Sequence, residues 1–133
     1  MRTFTFTVLI ATIAFSCGNK EINQTENDAV TKKGILVDDF SKYKDNANTE
    51  IVSAKIVENV LILNISYSGG CEEHFFTLVG SRMIGKSLPP KRGILLYHEN
   101  NGDSCRELVS EELKFDISDF RYKPGEEIIL LLE

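Results

Sequence analysis

No basic stripe and no Lys/Arg cluster occurs along the 133 residues. The chain therefore lacks the electrostatic footprint of a nucleic-acid binder, and that of a polybasic grip on anionic lipid. It has no nucleophile elbow, no phosphate-cradling glycine loop and no H-E-x-x-H, which speaks against a familiar hydrolase, nucleotide enzyme or zinc protease. A C-x-x-C motif is missing too, so a cysteine redox centre has little support. No stretch after residue 17 keeps a 3.6-residue apolar period over three turns, which leaves helix without a pattern to build on. Internal repeats are absent, and no apolar run reaches the roughly 20 residues that a membrane-spanning helix needs.

What the N-terminus does carry is an export signal. Arg2 supplies a basic n-region, and Phe4 to Phe15 (FTFTVLIATIAF) is free of charge before Ser16-Cys17, the make-up of a secretory h-region. Residues 1–16 are thus expected to be a lipoprotein signal peptide, with Cys17 as the acylated first residue of the mature chain. Ala14-Phe15-Ser16 before Cys17 also fits an ordinary A-x-S cleavage site; the strict lipobox prefers Leu where Ala14 stands and a small residue where Phe15 stands. Cysteine arithmetic favours lipidation, because three cysteines in an exported chain leave one odd thiol. Acylating Cys17 leaves Cys71 and Cys105 as a pair. Losing Arg2 with the signal leaves 14 Lys+Arg against 20 Asp+Glu, a net charge of −6. The expected location is the bacterial cell envelope, lipid-anchored on the periplasmic face or the outer-membrane surface.

From Gly18 to Lys33 the sequence is polar and charged, with only Ile22 and Val30 as sizeable apolar residues, so it cannot bury a core. Residues 17–34 read as the acylated cysteine and a flexible tether, with a reach on the order of 20–25 Å. Residues 35–133 form one domain, large enough to bury about 65% of its unfolded surface. Its periodicity is that of strands. IVSAKIV (Ile51 to Val57) and VLILNISY (Val60 to Tyr67) flank Glu58-Asn59 as a hairpin would, with Leu61, Leu63, Ile65 and Tyr67 on one face. Further runs follow at His74 to Val79, Gly93 to His98, Glu111 to Ile117 and Glu126 to Leu132, separated by Gly, Pro and Asn-Gly punctuation. Gly34 to Phe40 adds one more strand or an extended lead-in. The expected fold class is all-β, an antiparallel β-sandwich of immunoglobulin-like type with six to seven strands; a small β-barrel is the competing architecture.

One constellation carries chemistry. Both histidines and the two remaining cysteines occur as Cys71-x-x-His74 and His98-x6-Cys105, one pair on each side of the strand Gly93 to His98. Around them the sequence reads YSGGCEEHFFTLVG, then LYHENNGDSCREL, then LKFDISDF. Over about residues 64–120 this resembles a small family of bacterial envelope proteins, common among Bacteroidota lipoproteins. Their pattern is GGC-x-x-H-x-F-x-L, a later H, and D-x-C ahead of an F-D-[IL]-[ST] strand. Gly69, Gly70, Cys71, His74, Phe76, Leu78, His98, Asp103, Cys105, Phe115 and Asp116 stand where that pattern has them. That family has no established activity, so what the resemblance implies is a shared fold.

Physical chemistry offers two readings of the four residues. Export places Cys71 and Cys105 in an oxidising compartment, where a disulfide would close a loop of about 35 residues and stabilise the fold by about 3–4 kcal/mol. Alternatively, Cys71, His74, His98 and Cys105 are the donor types of a tetrahedral zinc site. Residues i and i+3 of a regular strand face opposite ways, so Cys71 and His74 converge only if Gly69-Gly70 re-aims Cys71 by a turn or bulge. The readings exclude each other, since zinc needs the thiolate. Reduced, buried cysteines remain a third state. His98 is in phase with Ile94 and Leu96, and His74 with Phe76 and Leu78, which directs both rings inward. Glu72-Glu73 and Glu111-Glu112 are neighbours that diverge on a strand and read as solvated edges. The loop from Glu99 to Asp103 is rich in oxygen but lacks EF-hand spacing.

The expectation is therefore a non-catalytic, membrane-anchored envelope lipoprotein, not an enzyme, whose sandwich is a binding or structural module stapled by Cys71–Cys105 and needs no cofactor. Its partner, protein or glycan, is not encoded in any motif. The competing reading is a metal-handling lipoprotein that holds zinc or copper through Cys71, His74, His98 and Cys105.

Overall fold

The computed structural model describes residues 30–44 and 47–133. The export segment 1–16, Cys17 and the tether up to residue 29 lie outside the described residues. Eight strands build two four-stranded sheets: β1 (Lys32–Lys33), β2 (Ile35–Val37), β3 (Thr49–Val57), β4 (Val60–Gly69), β5 (Phe75–Ser81), β6 (Lys91–Glu99), β7 (Glu107–Asp116) and β8 (Ile129–Leu132). One sheet has the order β1-β7-β4-β3 and the other β2-β5-β6-β8, and neither closes into a barrel.

Alternation in the sequence decides the core. Leu61, Leu63, Ile65 and Tyr67 of β4 and Leu113 and Phe115 of β7 turn inward from one sheet, and Phe76 and Leu78 of β5 with Ile94 and Leu96 of β6 meet them from the other. This is the period-two pattern of strands with one buried face. Val57 pairs with Val60, so Glu58-Asn59 is the two-residue turn of the hairpin, with Glu58 in the left-handed region at φ 57°.

The inner pairings β3/β4, β4/β7 and β5/β6 are antiparallel, as expected. The outer pairings β1/β7, β2/β5 and β6/β8 are parallel, so both sheets are mixed. These outer strands have two to four residues, and side-chain alternation carries no sign of pairing direction. Pairing begins at Lys32, and β1 and β2 are separated by Gly34 alone as the chain changes sheet. A Cβ at Gly34 would stand 2.7 Å from the Phe120 ring, which fills the space beneath that step.

Connections between the sheets collect at one end. The approach to β3, the β4–β5 link and the β6–β7 link all cross from one sheet to the other there. At the opposite end lie the Glu58-Asn59 turn, the long β5–β6 loop of residues 82–90 and the 117–128 crossing.

Candidate functional site

Cys71 sits in the β4–β5 crossing and Cys105 in the β6–β7 crossing, and a disulfide joins them with their Cα atoms 5.9 Å apart. The bridge thus ties two separate passages between the sheets. His74 and His98 belong to the same cluster, so the four residues singled out in the sequence converge on one end of the sandwich.

Asp103 organises that cluster. Its Oδ1 accepts the Cys105 N–H at 2.8 Å; its Oδ2 accepts the N–H groups of Cys71 and Glu72, each at 3.0 Å, and faces His74 Nε2 at 3.1 Å. The Cys105 amide, then those of Glu72 and Cys71, and lastly His74 hold this carboxyl well below the usual carboxylate range. In the sequence Asp103 is legible as part of an oxygen-rich loop and as the acid of the D-x-C pattern, without a role. The Asp-x-Cys spacing is the signal that points to it, because a short acid accepts the N–H two residues on in an Asx turn.

From Asp103 a line of hydrogen bonds runs through the core edge. His74 Nδ1 meets His98 Nε2 at 2.7 Å, and His98 Nδ1 meets Thr49 Oγ1 at 2.7 Å. With Asp103 ionised and both rings neutral, one assignment satisfies the side-chain partners: the Thr49 hydroxyl donates to His98 Nδ1, His98 Nε2–H to His74 Nδ1, and His74 Nε2–H to Asp103. The side chains of His74 and Asp103 are 2% and 1% exposed, and His98 is 2% exposed. Burial, reinforced by the adjacent His74, lowers the pKa of His98, opposed by hydrogen bonding to the backbone of Ala47 and Asn48.

Aromatic packing encloses the rings. Phe76 stacks on His98 with centroids 4.4 Å apart, and Tyr67 lies 4.6 Å from His74 and 5.1 Å from His98. Tyr67 donates its hydroxyl to Glu111 at 3.3 Å, and its pKa is raised, first by burial and then by that carboxylate.

The two glycines before Cys71 have distinct tasks. A Cβ at Gly69 would stand 2.5 Å from His74 Nε2 and 3.1 Å from Asp103 Oδ2, so the imidazole approaches bare backbone. Gly70 has φ 105°, a region that favours glycine, and turns the chain toward Cys71.

Chemically, this arrangement holds protons in place more readily than it delivers them. Thr49, half-buried, stands at the outer end beside Ser66, Tyr67 and Ser68 in a depression of about 310 Å³. Asp103 Oδ2 already has three donors, and the facing nitrogens of the two histidines bond each other. Sulfur and carboxylate atoms of Cys71, Asp103 and Cys105 lie within 4.8 Å of one another, a donor set for a metal only once the disulfide is reduced. A larger depression of about 430 Å³ lies at the opposite end, among Ile56, Asn59, Ile117, Phe120 and Leu130, away from these groups.

No family model and no curated protein sequence matches the chain. Among solved structures it is similar to a NigD-like immunity protein from Bacteroides caccae, with a TM-score of 0.57 and 22% identity over 78% of this chain and 52% of that one. It is also similar to a protein of unknown function from Bacteroides vulgatus, with a TM-score of 0.59 and 20% identity over 78% of this chain and 51% of that one. At such identities the likeness shows the fold. The chain spans about half the length of either structure.

Proposed function

We propose that the chain is an envelope lipoprotein anchored through Cys17, and that its sandwich is a non-catalytic module that binds a partner, with the cystine and histidine cluster as its structural keystone. One observation carries this reading: every group in the cluster able to do acid–base, nucleophilic or metal chemistry is already engaged, the side chains of His74, His98 and Asp103 in near-complete burial and the two cysteines in their mutual bond. A general base must reach a substrate proton, and His74, His98 and Asp103 reach only one another, Thr49 and backbone amides. Cys71 and Cys105 are consumed by their mutual bond.

The name of one similar structure, an immunity protein, agrees with such a role and makes a protein the first partner class to test. The net charge and the lack of a basic stripe speak against nucleic acid.

A second reading, zinc or copper handling, draws on the closeness of the Cys71, Asp103 and Cys105 donor atoms. It requires the thiols. The deciding experiment is intact mass, thiol titration and metal analysis on the chain recovered from the cell envelope. The keystone reading expects an acylated N-terminal Cys17, a loss of two hydrogens at Cys71 and Cys105, and no bound metal. Two titratable thiols with about one equivalent of zinc would overturn it in favour of metal handling.

A further inference from the structure

One loop joins spaced cations, too few for a polybasic cluster, with exposed apolar tips. The β5–β6 loop and its flanks carry Arg82, Lys86 and Lys91, all on the surface, with no carboxylate between residues 82 and 92. Lys86 and Lys91 have no ion-pair partner among the described residues, whereas Arg82 faces Asp38 at 3.5 Å. On the same loop Leu88 is 100% exposed and Met83 76%. Tyr122, half exposed, shares with Leu88, Ile84, Pro90 and Glu126 a depression of about 360 Å³, so the loops 82–90 and 117–128 form one surface, to which the second loop adds Asp119, Glu126 and Glu127 against Arg121 and Lys123.

The opposite end is more acidic. The β4–β5 and β6–β7 crossings there and their flanks hold Glu72, Glu73, Glu99, Asp103 and Glu107 against a single cation, Arg106. An acidic molecule polarised in this way turns its less acidic end, with the cationic β5–β6 loop foremost, toward a negative surface and its more acidic end away. The chain also enters the fold at this less acidic end: Lys33 lies opposite Asp116 at the close of β7, and the Val37 carbonyl accepts the Arg82 N–H at 2.8 Å.

We propose that this end of the sandwich is a membrane-contact surface, in which Leu88 and Met83 enter the interface of an anionic phospholipid bilayer while Arg82, Lys86 and Lys91 lie against its headgroups. Apolar tips framed by cations are what interfacial binding requires, since apolar burial and attraction to anionic lipid add. Tyr122 suits the headgroup level, where an aromatic ring keeps a polar tip in water. The proposal deepens the lipoprotein reading and rests on its envelope location.

The chain has no tryptophan, so single-tryptophan variants report depth directly. Leu88→Trp probes the loop, and Leu108→Trp, at a 74% exposed position near the cystine end, serves as control. The full chain, recovered with envelope membranes, is reconstituted in phosphatidylglycerol vesicles and in phosphatidylcholine vesicles. In the anionic vesicles the indole emission of the Leu88→Trp variant is expected to shift to the blue and to be quenched by acyl-chain-brominated lipid, while that of the Leu108→Trp control does neither. Reversing Lys86 and Lys91 to Glu should weaken the response of the loop probe at least about 25-fold, from roughly fivefold per lysine. A loop indole that stays in water on anionic vesicles, an equal response of both variants, or indifference to lysine reversal would overturn the proposal. Mass analysis of Cys17 reports the acylation separately; a response of the loop probe without acylation sinks the lipoprotein reading and upholds this one.

Discussion

At one end of the sandwich, two passages between the sheets are bound to each other by a cystine and by a single carboxylate with four hydrogen-bond donors, and a third, the approach to β3, is tied to His98 through the Ala47 amide and the Thr49 hydroxyl. At the other end, the β5–β6 loop extends nine residues beyond its strands, closes on itself through the Gly85–Lys91 bridge and leaves Leu88 in solvent. The difference follows from connectivity. A link that changes sheet must cross the open mouth of the core, where its polar backbone would otherwise go unpaired; Asp103 and the histidines supply the partners. A loop that returns to its own sheet has no such need, and in the long crossing at that end, 117–128, the Phe120 carbonyl is paired with the buried Arg92.

The comparison predicts that perturbation at the cystine end is costly. Replacing Cys71 and Cys105 by Ser should lower stability by about 4 kcal/mol, from a closed loop with a sequence separation of 34. Urea unfolding with and without the substitutions measures it. A loss below about 1 kcal/mol would mean that Asp103 holds the crossings unaided. Next comes His98→Ala, at about 3 kcal/mol, because it opens a cavity against Phe76 and strips a partner from both His74 and Thr49. Gly69→Ala should also destabilise, since its Cβ takes the place of the His74 ring edge; unaltered unfolding would show that the imidazole can retreat.

Much of the fold was legible because its long strands repeat every second residue: β4 and β7 declare their buried faces as Leu61-Leu63-Ile65-Tyr67 and Leu113-Phe115. The two lysines of β1 were not legible as a strand, because both are exposed and only the backbone of Phe115–Asp116 makes them one. Scarcity made the cluster visible, as two histidines and two cysteines flanked one strand. Its centre stayed hidden, because the amides of Cys71 and Glu72 that Asp103 holds come from residues more than thirty positions earlier. Thr49 gave no signal either: its link to His98 spans the two sheets.

Acid should separate the two ends further. Because the folded pKa of His98 is lowered from its ordinary 6.5, the unfolded chain takes up the proton first. The stability tied to a neutral His98 is therefore complete above pH 6.5 and declines as pH falls below it. Asp103, also depressed, contributes stability that is complete above its ordinary 3.8 and is lost as pH falls toward its much lower folded value. Urea midpoints taken from about pH 8 to pH 3 should thus drop in two limbs, and His98→Gln should flatten the upper one while leaving the lower. An upper limb that persists in that variant would assign it to another group.

The smallest effect belongs to the opposite end, and it is the sharpest test of the contrast. Leu88 is fully exposed and neighbours no buried residue in sequence, so Leu88→Ser should change stability by less than about 0.5 kcal/mol. The same holds for Lys86→Glu, whose side chain has no ion-pair partner among the described residues. Differential unfolding against the parent chain checks both. A loss above about 1 kcal/mol at Leu88 would mean that the loop is packed against something in the folded protein in solution, and the two ends would then differ in the kind of contact they make, not in how much the fold depends on them.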